Sequence, residues 1–203
     1  MAKLIEITGK ALAGVWGNDD STGHGTRVLR TTNFTNDGVV DYTDVVTREI
    51  KQEKLDEKFL KPGDIIIEKS GGSDRQPVGR VIYFDGPPSV YLFNNFTGLL
   101  RVIDTDIWLP KYVFYSLYAN YLSGGTKKFE NRTTGLHNLQ TDAYVSSFEV
   151  VEYPYEKQKK IVDKLDKVAT IIFHRKRQLV KLDELVKSRH VGRITVPVMG
   201  VAA

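Results

Sequence analysis

From Tyr155 to Val191 the chain contains neither glycine nor proline and is dense in Lys, Glu, Asp and Leu. Within that run Ile161, Leu165, Val168, Ile172, Leu179, Leu182 and Val186 recur at alternating spacings of four and three, with Arg175 in the one gap. This is the seam of a coiled coil sustained over more than three heptads. A continuous helix from Pro154 to about Arg189 would measure on the order of 50 Å at about 1.5 Å per residue. The 153 residues that precede it cannot cover a rod of that length, so much of the seam needs another helix. A polar residue at one seam position can fix register or orientation, and Arg175 is the candidate for that role.

Upstream of Pro154 the chain has a different character. Gly, Asn, Asp and Pro punctuate short β-branched and aromatic runs, which predicts strands at Arg27 to Thr31, Val39 to Tyr42, Ile65 to Glu68, Val81 to Phe84, Tyr91 to Phe93, Leu99 to Ile103 and Val145 to Val151. One helix is predicted from about Pro110 to Leu122, with Pro110 suited to a first turn and Ser123-Gly124-Gly125 ending it. Its Val113, Phe114, Leu117, Tyr118 and Tyr121 form a core-facing stripe. The expected fold class is α+β: a mostly β domain with one or more short helices over residues 1–153, a single long helix over 154–189, and a tail over 190–203.

Composition narrows the function classes. No cysteine is present, so disulfides and thiolate metal sites are excluded, and the four histidines are scattered. No metal site is expected. No apolar run approaches the roughly 20 residues needed to span a bilayer, and the opening MAKLIEITGKALAG lacks the long apolar core of a signal peptide, so the expected location is the cytoplasm. A formal charge of +4 and a pI of about 9.1 suit an anionic partner without requiring one. Nucleophile-elbow, phosphate-loop and dinucleotide-loop patterns are missing, and carboxylates form no cluster suited to acid–base work. The chain is therefore not expected to be an enzyme, and its catalytic residues are none.

Three polar segments carry more information. Between the predicted strands at Ile65 and Val81 lies Glu68 to Pro77, far longer than the two-residue turn that most simply joins two strands. The others are Asn94-Asn95-Phe96-Thr97-Gly98 and Thr126 to Leu139. Together they offer Arg and Lys for phosphates, and Asn, Gln, Arg, Ser and Thr in shapes that read base edges. The candidate DNA-facing residues are Lys69, Ser70, Ser73, Arg75, Gln76, Arg80, Asn94, Asn95, Arg132, Thr134, His137 and Asn138, with Lys127 and Lys128 for phosphates. The same loops would also serve a protein-interaction or RNA-binding adaptor that docks a partner through its helix.

The order FLKPGDIIIEKSGGSDRQPVGRVIYFD, NNFTGLLRV, NRTTGLHNLQTDAY and YPYEKQKKIVDKLDKV resembles the DNA-specificity subunit of type I restriction-modification systems. The resemblance runs to about Arg189 and rests most heavily on Pro154, Gln158 and Ile161 at the start of the long helix. It implies a target recognition domain that reads one half of a split duplex site, and a spacer helix that docks methyltransferase subunits. It implies no cofactor on this chain, S-adenosylmethionine belonging to the methyltransferase partner, and a restriction subunit as a further partner. It also implies that Gly71 and Gly72 let the backbone approach the duplex. The family carries two recognition domains and two helices where this sequence has one of each. A half-length form is expected to pair as a homodimer through its seam and to read a two-fold symmetric, interrupted target.

Overall fold

The computed structural model describes residues 1–51, 55–74, 76–133 and 136–191, without the side chains of 132, 133, 136 and 189–191. In chain order it begins β1 (Ala2–Lys3), α1 (Leu4–Thr8), β2 (Leu12–Ala13), β3 (Asn18–Asp19), β4 (Thr26–Leu29), β5 (Val46–Glu49), β6 (Ile65–Glu68) and β7 (Ser70–Gly72). It continues β8 (Val81–Tyr83), β9 (Tyr91–Phe93), β10 (Thr97–Leu100), α2 (Pro110–Leu122), β11 (Glu130–Thr133), β12 (Leu136–Leu139), α3 (Thr141–Ser147), β13 (Glu149–Val150) and α4 (Tyr155–Val191). The class is α+β, mostly β before one long helix, as the sequence predicts. Contacts divide the chain into two compact units, Met1–Lys159 and Lys160–Ala203.

The first unit is organised around β6. Every residue of Ile65-Ile66-Ile67-Glu68 is buried, which is how a strand covered on both faces reads. It lies in an antiparallel sheet of order β2-β10-β6-β8. A second sheet of order β3-β5-β4-β9 is antiparallel except for the parallel β4–β9 pair. The main core gathers Ile66, Ile82 and Leu99 from the first sheet with Leu29, Tyr91 and Phe93 from the second. Because side chains alternate across a strand, the neighbouring pair Val28 and Leu92 points to the opposite face and joins Val15 in a smaller cluster. Helix α2 packs on β8, burying Tyr112, Val113, Phe114 and Leu117. Tyr118 and Tyr121 of the predicted stripe are half-buried, and their hydroxyls donate to the carbonyls of Asn36 and Pro77.

Two predicted strands are absent as such. Val39 to Tyr42 makes a single bridge, Val40 to Phe34, because Gly38 at φ +76° and the Thr35 hydroxyl bonded at Val39 close a turn there. The run from Val145 is helical to Ser147, where Tyr144 and Phe148 stack at 5.5 Å, and only Glu149–Val150 pairs, antiparallel with β1. Strand β5 escapes the sequence reading because Val46-Thr47-Arg48-Glu49 lacks a sustained apolar pattern; its pairing with β3 and β4 supplies the order.

The first turn of α4 belongs to the first unit and shows what Gln158 does. Its side chain is fully buried. Leu109 N–H donates to its Oε1 at 2.9 Å, and its Nε2 donates to the carbonyls of Ile107 and Tyr153 at 2.9 and 2.8 Å. In the second unit Ile161, first in the predicted seam, is half-buried, while Leu165, Val168, Ile172, Leu179, Leu182 and Val186 are 37–63% exposed. Among the described residues no helix is long and apolar enough to cross a membrane.

Replacing Gln158 with alanine would strand one buried donor and two carbonyls. The expected loss is about 3 kcal/mol, which at this size lowers the melting temperature by roughly 6–12 °C. Thermal denaturation followed by circular dichroism measures it, and a shift below about 2 °C would contradict the anchoring role.

Candidate nucleic-acid interface

Strand β6 ends on Glu68, whose side chain has no solvent exposure, and a buried carboxylate requires a cation and hydrogen bonds. Arg80 supplies both from the far end of the connecting segment. Its Nε donates to Glu68 Oε2 at 3.0 Å and its Nη2 to Oε1 at 2.9 Å. The Glu68 N–H donates to the Arg80 carbonyl at 2.8 Å, so the base of the segment is closed by backbone and side chains together. Burial works against the arginine charge, but the hydrogen bonds and charge of Glu68 outweigh it and raise the Arg80 pKa above its ordinary value. The remaining donors reach back in sequence, Nη1 to the Phe34 carbonyl and Nη2 to that of Thr31, at 3.1 and 3.2 Å.

Beyond Glu68 the chain is more ordered than a loop. Strand β7 pairs with β12, placing Gly72 opposite His137 and Ser70 opposite Asn138. Strand β12 pairs in turn with β11, so the third polar segment is a hairpin rather than an open loop. The Lys69 and Ser70 N–H groups both donate to the Phe96 carbonyl, at 2.8 and 3.1 Å, and Leu139 N–H donates to the Lys69 carbonyl at 2.8 Å. All three polar segments, distant in sequence, are thus joined by main-chain hydrogen bonds. A tight turn follows β7, with Ser73 and Gln76 exchanging backbone bonds and Gln76 Nε2 donating to Asn36 Oδ1 at 2.7 Å.

Ser73, Asn95, Lys127 and Lys128 are exposed, while Lys69, Ser70, Gln76 and Asn138 are half-buried. The Lys128 ammonium lies 5.0 Å from the centre of the Phe129 ring. Arg75 and Thr134 lie outside the described residues, and Arg132 is described only as a β11 residue opposite His137. Three other expected DNA contacts are turned inward. Arg80 is committed to Glu68 and two carbonyls. Asn94 is buried at the β9–β10 turn, where its carbonyl accepts from the Thr97 N–H and hydroxyl. His137 is buried, with Nδ1 2.7 Å from Glu130 Oε1 and Nε2 3.9 Å from Asp74 Oδ1.

Gly72 also has an internal reason: a Cβ there would lie 2.5 Å from the Val78 nitrogen. Gly71, at φ +126°, adopts a backbone that side chains disfavour. Sequence reading missed Asn36, whose link to Gln76 spans forty residues and leaves no local signal. It also passed over Phe96, 51% exposed in the middle of a polar turn. Among the described residues no group of three or more His, Asp or Glu could hold a metal ion.

The family model for the type I restriction modification DNA specificity domain matches residues 21–182. No curated protein matches significantly. Among solved structures, a chain from work on complex assembly and conformational transition of the type I R-M system aligns at 18% identity and TM-score 0.67, covering 92% of this chain and 42% of that one. The HsdS subunit from Thermoanaerobacter tengcongensis aligns at 12% identity and TM-score 0.60, over 100% of this chain and 50% of its own. The type I restriction-modification S subunit from M. genitalium aligns at 15% identity and TM-score 0.53, over 92% and 42%. This chain thus spans at most half the length of these neighbours, which share its fold. With the family model matching most of its length, the chain belongs to the type I restriction modification DNA specificity domain family.

Proposed function

We propose that this chain is a non-catalytic recognition module of a type I restriction-modification complex, reading one half of a bipartite duplex site with its first unit. The observation that carries this reading is the convergence of the three polar segments through β7, β12 and the Phe96 carbonyl, in a chain of this family. Lys69, Ser70, Ser73, Gln76, Asn95 and Asn138, together with Arg75, Arg132 and Thr134, supply base and backbone contacts. Lys127 and Lys128 neutralise phosphates. A methyltransferase subunit bringing S-adenosylmethionine, and a restriction subunit, are the protein partners, and the cytoplasm is the setting. The unpartnered seam of α4 supports pairing with a second copy, with Arg175 setting register and a two-fold symmetric target as the result.

Selection from a random duplex library, with the chain alone and with a type I methyltransferase subunit, tests the reading. Enrichment of one short motif is expected, with little binding to single strands or RNA; equal binding to RNA would favour an adaptor instead. Substituting both Lys127 and Lys128 with alanine should weaken binding to all duplexes alike and flatten the salt dependence by about one unit of slope for each phosphate no longer neutralised. An unchanged slope would remove both lysines from the phosphate role.

Light scattering on the purified chain should give about twice 22.9 kDa. Leu179→Glu together with Leu182→Glu, at exposed seam positions, should return the mass to that of one chain. A wild-type monomer at micromolar concentration would leave the symmetric target without its basis.

A further inference from the structure

The Glu68–Arg80 pair closes the base of the 69–79 connection with a buried carboxylate and an arginine. A buried ion pair contributes little net stability, and well-packed apolar residues of similar volume often serve as well or better. Apolar residues could not supply direction. The planar fork of Arg80 makes four hydrogen bonds, two to Glu68 and one each to the carbonyls of Thr31 and Phe34. These bonds join the end of β6, the start of β8 and the 31–34 segment at a single guanidinium. The backbone of the reading segment passes close to the pair's carboxylate: a Cβ at Gly71 would lie 3.3 Å from Glu68 Oε1 and 3.8 Å from Thr31 Oγ1. Farther along, Gln76 holds Asn36, and Tyr121 and Tyr118 of α2 hold the carbonyls of Pro77 and Asn36. Both flanks of the 70–77 segment are thereby fixed to the 31–36 segment.

We propose that Glu68 and Arg80 are positioning residues for sequence discrimination: they set the place and orientation in which the 70–77 segment presents its groups to a base pair. The proposal rests on the DNA-recognition reading of the first unit. The pair touches no base. Its effect is on geometry, since bidentate base contacts tolerate little displacement, whereas phosphate contacts by exposed lysines tolerate more.

The test compares the full chain with Glu68→Met/Arg80→Met, a double substitution that removes the pair without leaving a buried charge alone. Affinity is measured for the duplex enriched by the wild type and for a scrambled duplex, over a range of salt, beside the melting temperature. The ratio of the two affinities is expected to fall by about tenfold or more, with scrambled-duplex affinity and salt slope unchanged. An unchanged ratio in the folded variant, or an equal loss on both duplexes, overturns the proposal. Should the double variant fail to fold, Arg80→Lys takes its place: an ammonium can stay beside Glu68 but cannot span the carbonyls of Thr31 and Phe34. A smaller but measurable fall in the ratio is then expected, and an unchanged ratio overturns the proposal equally. If the wild type enriches no motif, DNA recognition itself fails before any variant is compared, and the proposal falls with it.

Discussion

A carboxylate without solvent exposure, at the end of a strand buried on both faces, must find a cation inside the protein. Glu68 finds it in Arg80, and the cation arrives with more donors than one carboxylate can use. The remaining donors go to the Thr31 and Phe34 carbonyls, which brings a segment from the other sheet's connections to the base of β7. Asp64 and Arg101 repeat the arrangement at the opposite end of β6: a carboxylate 2% exposed, a fork at 2.7 Å to each oxygen, and spare donors on the carbonyls of Glu57 and Phe59. The central strand is tethered to non-adjacent chain at both ends by an arginine.

What the sequence discloses follows from how local each signal is. Strand β6, strand β9 and helix α2 are legible because apolar runs, Pro110 and the glycines after Leu122 are short-range statements. The long helix is legible because its spacing repeats. Strand β5 and the β11–β12 hairpin are not, since their order comes from neighbours distant in sequence rather than from apolar content.

The candidate site divides along the same line. That the chain has three long polar segments can be read from its sequence; that they meet cannot. Arg80, Asn94 and His137 have the side chains of base readers, and nothing local distinguishes them from Ser73 or Asn95. Their surroundings decide it: Glu68 for Arg80, burial at the turn before β10 for Asn94, and burial beside Glu130 for His137. Gln158 stands out in sequence only as part of a motif, and its three bonds to main-chain groups supply the physical reason.

The bonds that gather the polar segments run almost entirely between main-chain atoms: β7 to β12, β12 to β11, and Lys69 and Ser70 to Phe96. Main-chain bonds are indifferent to side-chain identity at most positions. The scaffold therefore separates where a polar side chain is held from what that side chain is. Exposed positions such as Ser73 and Asn95 can change residue without disturbing the sheet that carries them, while Glu68 and Arg80, held by each other, and Gly72, packed against the Val78 backbone, are not free to drift.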